Sequence, residues 1–505
     1  MKLRRPFHPL LFAAYPVLSL YAANTALFPA ADLARPLAAM LAATLLLWAI
    51  LGAILRDAAR AAAGASVAAI GFFSYGPICD FVGNPNYGRR VTDQWTLSIW
   101  ALIWLVLIVA VCWKWRRTAN LTQGMNIAGA VLVAIPAFTI GLAWAKGSQV
   151  PAAAIQGVRY DGPRPDLFYI ILDGYGRSDV LRHDVGLDNS EFIDGLRRRG
   201  FYVADKSHSN YCQTELSITS SLNMSYLPGL IPGLSPDQKD RGVLDSRIDQ
   251  SRLSLQMRAL GYGYISVVTG FPAIHPHSAD LIISPTSGGS LFESALWDRT
   301  PLPVSGITES QYESRRKGLI SALQTVGDLG KPASRPRFVF AHILAPHPPF
   351  VLGPNGESVR PKGGFAIVDG SHFFQHGGTP EEYAKGYAGQ AQAIGRLVLK
   401  AIDDLLRNAR VPPIIVIQGD HGPKLHLDQE RLDKTDVNEV FPILNAYYVP
   451  PKIREKLYPT ITPVNTFRTI LREQFGQSLP NLADRSFYSS WTWPFRFNEV
   501  TERLK

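Results

Sequence analysis

Cysteine is scarce, with three in 505 residues. Cys79 and Cys112 fall inside long apolar stretches, which leaves Cys212 alone in the rest of the chain and excludes a disulfide framework. The large C-terminal part must therefore be held by its own core, for which about 350 residues are ample. No dense run of Lys and Arg interleaved with aromatics occurs, so the pattern of a nucleic-acid binder is missing. Internal repeats and low-complexity tracts are absent, which removes solenoids and disordered arrays. A signal-peptide cleavage pattern is lacking as well: the first apolar stretch is long and others follow at once.

Long hydrophobic runs, by contrast, fill the first third of the chain. Five stretches of about 20 residues, the length that crosses a bilayer as helix, lie at 7–30, 36–55, 61–82, 96–113 and 124–144. Cations near their ends set the orientation. Lys2, Arg4 and Arg5, then Arg56 and Arg60, then Lys114, Arg116 and Arg117 share one side if five helices are counted, and that side is the cytoplasm. Arg35, Arg89 and Arg90 fall opposite. Residues beyond Lys146 are then expected outside the cytoplasmic membrane of a bacterium. The net charge of +10 follows from such cationic flanks or from attraction to anionic lipid head groups.

Residues 147–164, with Gly147, Pro151, Gly157, Gly162 and Pro163, read as a linker. From 165 to 505 strand-like and helix-like segments alternate, the signature of a mostly parallel sheet covered by helices. Strands are expected at 167–172, 201–203, 263–268, 338–344, 414–417 and 446–449, and helices at 189–199, 251–260 and 381–409. The Gly-, Pro- and Ser-rich segments 271–335 and 351–380 are expected as long surface loops near a site. Trp491, Trp493, Phe495 and Phe497 either cap the core, the reading preferred, or touch the membrane interface. The fold class is thus an N-terminal bundle of about five transmembrane helices (1–146) followed by an α/β domain with a mostly parallel sheet.

Two of the strands end in metal-capable side chains. Leu167–Leu172 runs into Asp173-Gly174, and Ile414–Ile417 into Gln418-Gly419-Asp420-His421-Gly422. Open α/β sheets keep their sites at such carboxyl ends. An adjacent carboxylate and imidazole suit a divalent ion, though Asp-Gly is equally a common turn pair. Thr214, opening Thr-Glu-Leu-Ser-Ile-Thr-Ser-Ser-Leu-Asn, is either a helix cap or a nucleophile activated by a nearby cation.

The order Leu-Asp-Gly, Thr214 with Ser217 and Ser221-Leu222-Asn223, Pro-His-Pro-Pro-Phe and Gly-Asp-His-Gly resembles the alkaline phosphatase/sulfatase superfamily over residues 165–450. Five membrane helices ahead of such a domain resemble lipoteichoic acid synthases and phosphoethanolamine transferases. The resemblance implies a divalent ion, Zn²⁺ or alternatively Mn²⁺, on Asp173, Asp420 and His421, with Thr214 as fourth ligand and nucleophile. It implies His347 and, less closely, His426 at the transferred group. His342 reads as structural, and His208 and Asn210 as pocket lining without a role. The formylglycine motif of sulfatases is missing, since Cys212 is followed by Gln213, Thr214, Glu215 and Leu216. Asp369 and His372 miss the Asp-x-x-x-His spacing of a second metal by one residue, so one tightly held ion is expected.

The expected activity is transfer of a phospho-head group, phosphoethanolamine or phosphoglycerol, from a phospholipid to an envelope glycan or lipid acceptor through phospho-threonine. A phosphodiesterase or phosphatase of the same superfamily is the alternative, and a non-catalytic membrane binding protein a further one.

Overall fold

A computed structural model of the protein describes residues 5–23, 30–82, 94–114, 119–145, 160, 162–274, 276–283, 291–297, 300–302, 311–333, 335–361 and 365–504. Lys2, Arg4, Arg89, Arg90, Arg116, Arg117 and most of the expected linker lie outside the described residues. The chain divides into two compact units, Met1–Gln149 with Gly288–Gln311, and Val150–Ser287 with Tyr312–Lys505.

Among the described residues the N-terminal part of the first unit forms the helices α1 His8–Ala22, α2 Ala31–Leu55, α3 Ala58–Val82, α4 Gln94–Lys114 and α5 Ala119–Ala145. Three spans, Asp32–Leu55, Ala58–Ile78 and Thr122–Leu142, are long and apolar enough to cross a membrane, and Leu97–Trp113 is a shorter apolar helix. Large apolar side chains face outward, such as Leu102 at 62% and Phe138 at 68% exposed. Helices apolar on every face need a lipid surround. Inside, Asn126 Oδ1 accepts the backbone N–H groups of Phe7 (3.0 Å) and His8 (2.9 Å), fastening the start of α1 to α5. The helix Leu291–Trp297 belongs to the same unit, with Phe292 and Leu296 buried against Val17, Tyr21 and Leu33.

The second unit is built on a seven-stranded sheet in the order β2-β7-β6-β1-β5-β3-β4. The strands are β1 Leu167–Leu172, β2 Tyr202–Val203, β3 Gly263–Val268, β4 Leu281–Ile283, β5 Arg337–Ile343, β6 Ile414–Gln418 and β7 Asn445–Tyr448. β1 pairs in parallel with β5 and β6, as β3 does with β4 and β5, whereas β7 is antiparallel to β6 and β2. Burial on both faces explains the unbroken apolar run of β1. Phe168, Ile170 and Leu172 enter one core, and Leu167, Tyr169 and Ile171 the other. The helices Gln311–Asp328 and α7 Pro380–Asn408 cover the first face; α6 Thr214–Asn223 and α8 Pro463–Phe475 cover the second.

Residues 271–335 are not the long loop expected. They hold β4, Leu291–Trp297 and Gln311–Asp328, whose Tyr312, Leu319, Leu323 and Val326 are buried at helical spacing. At the C-terminus Phe495 is buried and Trp491 is 42% exposed, so the aromatic segment serves the core only in part.

Candidate functional site

β1, β5 and β6 lie side by side, and their carboxyl ends supply the site. Register places Ile171 beside His342 on one side and Gln418 on the other. Asp173 and the pair Asp420-His421 therefore emerge from neighbouring strands within a few ångströms of each other. Gly174 turns the chain with φ of 76°, a backbone that a side chain would strain, and donates its N–H to Asp420 Oδ1 at 2.9 Å.

One ligand atom each from Asp173, Asp420 and His421 lies within 4.8 Å of the others. His421 Nε2 is 3.5 Å from Asp173 Oδ1 and 3.4 Å from Asp420 Oδ2. Those two carboxylate oxygens are buried, and neither has a hydrogen-bond partner. Nδ1 of His421 is 2.8 Å from Gly422 O. A carbonyl only accepts, so the ring proton sits on Nδ1 and Nε2 presents a lone pair to the cluster. The Thr214 hydroxyl donates to that lone pair at 3.1 Å. Two orphaned carboxylate oxygens, an imidazole lone pair and a hydroxyl converging in a buried space fit a divalent cation of the zinc type.

Electrostatics agree with the geometry. Burial, then the Asp420 charge, pushes the Asp173 carboxyl above its ordinary range. Burial pushes His421 well down, which keeps its ring neutral. His342 is lowered to about 4, also by burial, and donates from Nε2 to Asp173 Oδ2 at 3.1 Å.

Thr214 is the first residue of α6. Its predecessor Gln213 places no side chain over the helix start; Gln213 Nε2 donates instead to Gln429 Oε1 at 2.9 Å. The first-turn amides thus keep their partial positive charge beside the hydroxyl. Ser217, one turn along, donates to Asp420 O at 2.7 Å and pins α6 to the end of β6.

His347 follows β5 and is buried. Its Nδ1–H donates to Pro348 O at 2.6 Å, and Nε2 lies 3.8 Å from Asp369 Oδ2. The loop is held from below by Arg315, whose Nη2 donates to Leu344 O, His347 O and Pro348 O. Gln390 also donates to Pro346 O and His347 O. Burial lowers the Arg315 guanidinium to about 10, still charged at neutral pH.

No family model matches this chain, and no curated protein matches it. Its neighbours are solved structures. The C-terminal periplasmic domain of EcEptC from Escherichia coli in complex with Zn is 12% identical, covering 62% of this chain and 83% of that one at a TM-score of 0.42. The integral membrane protein lipooligosaccharide phosphoethanolamine transferase A (EptA) from Neisseria meningitidis is 11% identical, covering 92% and 95% at 0.39. The phosphonate monoester hydrolase of Agrobacterium radiobacter is 15% identical, covering 64% and 80% at 0.43. These likenesses are distant.

Of the residues picked out in sequence, Asp173, Thr214, Asp420 and His421 come together, with His347 on the adjoining loop. His426 does not join them: its side chain is 53% exposed and Nδ1 pairs with Glu439 Oε2 at 3.0 Å. Asn210 is a structural clamp, donating to Arg485 O and accepting from Val464 N. His342, Asp369 and Arg315 were missed as site residues. Only Asp369 carried a signal, its near-match to a ligand spacing.

Proposed function

We propose that the protein is a multi-pass protein of the bacterial inner membrane, with a catalytic domain on the extracytoplasmic side. It transfers a phospho-head group, phosphoethanolamine or phosphoglycerol, from a phospholipid to a hydroxyl-bearing envelope glycan or lipid by way of Thr214. The supporting observation is the Thr214 hydroxyl, 3.1 Å from His421 Nε2 at a buried cluster whose Asp173 Oδ1 and Asp420 Oδ2 lack partners. Asp173, Asp420, His421 and Thr214 would hold one divalent ion, Zn²⁺ by the nature of the donors. When bound, that ion supplies positive charge that eases loss of the hydroxyl proton and balances phosphoryl charge.

The remaining roles fall to the chain. Thr214 Oγ1 attacks phosphorus, forming the Oγ1–P bond as the P–O bond to the diacylglycerol breaks. His347, as an imidazolium with Nδ1–H on Pro348 O and Nε2–H facing Asp369, is placed to hand a proton to the departing oxygen, and the proton given up by Thr214 Oγ1 balances the one delivered. The α6 amides face charge gathering on the phosphoryl oxygens. An acceptor hydroxyl then displaces Thr214 by the reverse path, and water in its place gives hydrolysis.

The test is intact-mass measurement of the full chain in detergent after incubation with Zn²⁺ and either phosphatidylethanolamine or phosphatidylglycerol. A head-group phosphate adduct on Thr214, absent from Thr214→Ala, is expected. A metal-loaded protein that forms no adduct with either lipid and turns over no phosphodiester would defeat the proposal.

A further inference from the structure

Three hydroxyls stand on one face of α6, at the spacing that brings residues of a helix into line. Thr214 reaches His421 Nε2 at 3.1 Å, Ser217 reaches Asp420 O at 2.7 Å, and Ser221 lies 2.9 Å from the Tyr169 hydroxyl. The first two contacts belong to the site. The third is made a further turn along, against the middle of β1, where an apolar pair would ordinarily serve.

The sense of that contact follows from one carbonyl. Asn445 Nδ2 donates to Ile461 O at 3.1 Å and to Ser207 Oγ at 3.0 Å, so Asn445 Oδ1 is turned toward Gln418. Gln418 Nε2 donates to that oxygen at 2.9 Å and to Thr466 Oγ1 at 3.2 Å. Gln418 Oε1 is left for Tyr169, whose hydroxyl donates to it at 2.7 Å. With the tyrosine proton committed, Ser221 is the donor to Tyr169 Oη; its other acceptor, Ile218 O, is farther at 3.1 Å. A chain of hydrogen bonds therefore runs from β7 through β6 and β1 into α6. Ser207, Asn445, Gln418, Tyr169, Ser221 and Thr466 are each no more than 1% exposed.

Buried polar side chains are costly where apolar ones would pack. What they add is direction, because apolar burial is non-directional whereas a hydrogen bond fixes distance and angle. Gln418 pairs across strands with Asn445 and stands two residues before Asp420. The amide that ties β6 to β7 thus also ties β6, through Tyr169, to the helix that carries Thr214.

We propose that Tyr169 is a positioning residue: by joining Gln418 to Ser221 it sets the roll of α6, and so the approach of the Thr214 hydroxyl to the cluster at the end of β6. The inference rests on the covalent-threonine reading above. A nucleophile displaced by about 1 Å can lose about 100-fold in rate, so a side chain remote from the chemistry carries part of it.

The experiment uses the full chain in detergent, loaded with Zn²⁺, with bis(p-nitrophenyl) phosphate as the probe. Tyr169→Phe breaks the link and keeps the ring; Ser221→Ala breaks it from the helix side. Tyr447→Phe is the control, since its hydroxyl meets Thr466 Oγ1 at 2.9 Å, on α8 rather than α6. The readouts are kcat, KM, the Thr214 adduct by intact mass, bound metal by elemental analysis, and melting temperature. Tyr169→Phe and Ser221→Ala should each lower kcat and the rate of adduct formation about 10–100-fold, with KM and metal content little changed. The double variant should lose no more than the worse single one, because both break the same link. Tyr447→Phe should keep kcat within about twofold at a comparable fall in melting temperature. Either Tyr169→Phe or Ser221→Ala keeping kcat within about threefold would overturn the proposal. So would an equal loss of kcat in Tyr447→Phe, or loss of metal from Tyr169→Phe. An unaltered, metal-loaded chain that neither turns over the probe nor forms an adduct would remove the Thr214 reading, and this inference with it.

Discussion

At the scale of single residues, the site is defined by which atoms have partners. His342 occupies Asp173 Oδ2 and leaves Oδ1 to the cluster. His342→Gln should therefore weaken metal binding by about 10–100-fold, read by competition with a chelator, while the fold persists. Asp420→Asn should abolish stoichiometric metal and the Thr214 adduct together. Ser217→Ala removes a buried donor from Asp420 O and should lower stability by about 1–2 kcal/mol in denaturant titration. Asp173, Asp420 and His421 stood out in sequence because abrupt polar ends on buried strands are conspicuous, and Thr214 because it opens a Ser/Thr-rich helix. His342 did not, because an imidazole inside a strand buried on both faces gives no hint of its neighbour; only the pairing of Ile171 with His342 brings it to Asp173.

At the scale of elements, the loop after β5 depends on groups far away in sequence. Gln390, mid-way along α7, accepts from Val351 N and Leu352 N while donating to Pro346 O and His347 O. Gln390→Ala leaves Val351 N, Leu352 N and Pro346 O unpaired, with His347 O kept only by Arg315, and should cost about 2–3 kcal/mol, with slower Thr214 adduct formation as His347 loosens. The helix Gln311–Asp328 adds a pH-dependent tie. The Glu313 carboxyl is held down to about 2, first by Arg316 and also by the Ser358 hydroxyl, which belongs to the segment after the His347 loop. A folded pKa below the unfolded one contributes stability above about pH 4.5 that is lost as pH falls toward 2. Melting temperatures of Glu313→Gln and the unaltered chain should thus differ slightly at pH 7 and coincide near pH 2. This helix was hidden in sequence by the Gly, Pro and Ser around it, although its buried positions keep the helical period. The strands were easier, since β1, β5 and β6 are buried on both faces and read as continuous apolar runs.

At the scale of the molecule, two buried carboxylates lie against each other in a core otherwise closed to water. Separating them from a cation leaves a like-charge cost that folding must bear. A bound divalent ion at 100 times its Kd should then raise stability by about 2.7 kcal/mol, and a chelator should lower the melting temperature correspondingly. The apolar length of the helices in the first unit was legible because it lies in continuous runs of the sequence. The unit's true membership was not: Gly288–Gln311 joins it from far along the chain. Excising the sheet-bearing part at residue 150 would accordingly not separate two closed bodies. The fragment would carry Phe292 and Leu296 away from Val17 and Tyr21, and it should need detergent or aggregate unless 288–311 is deleted or those two side chains are made polar.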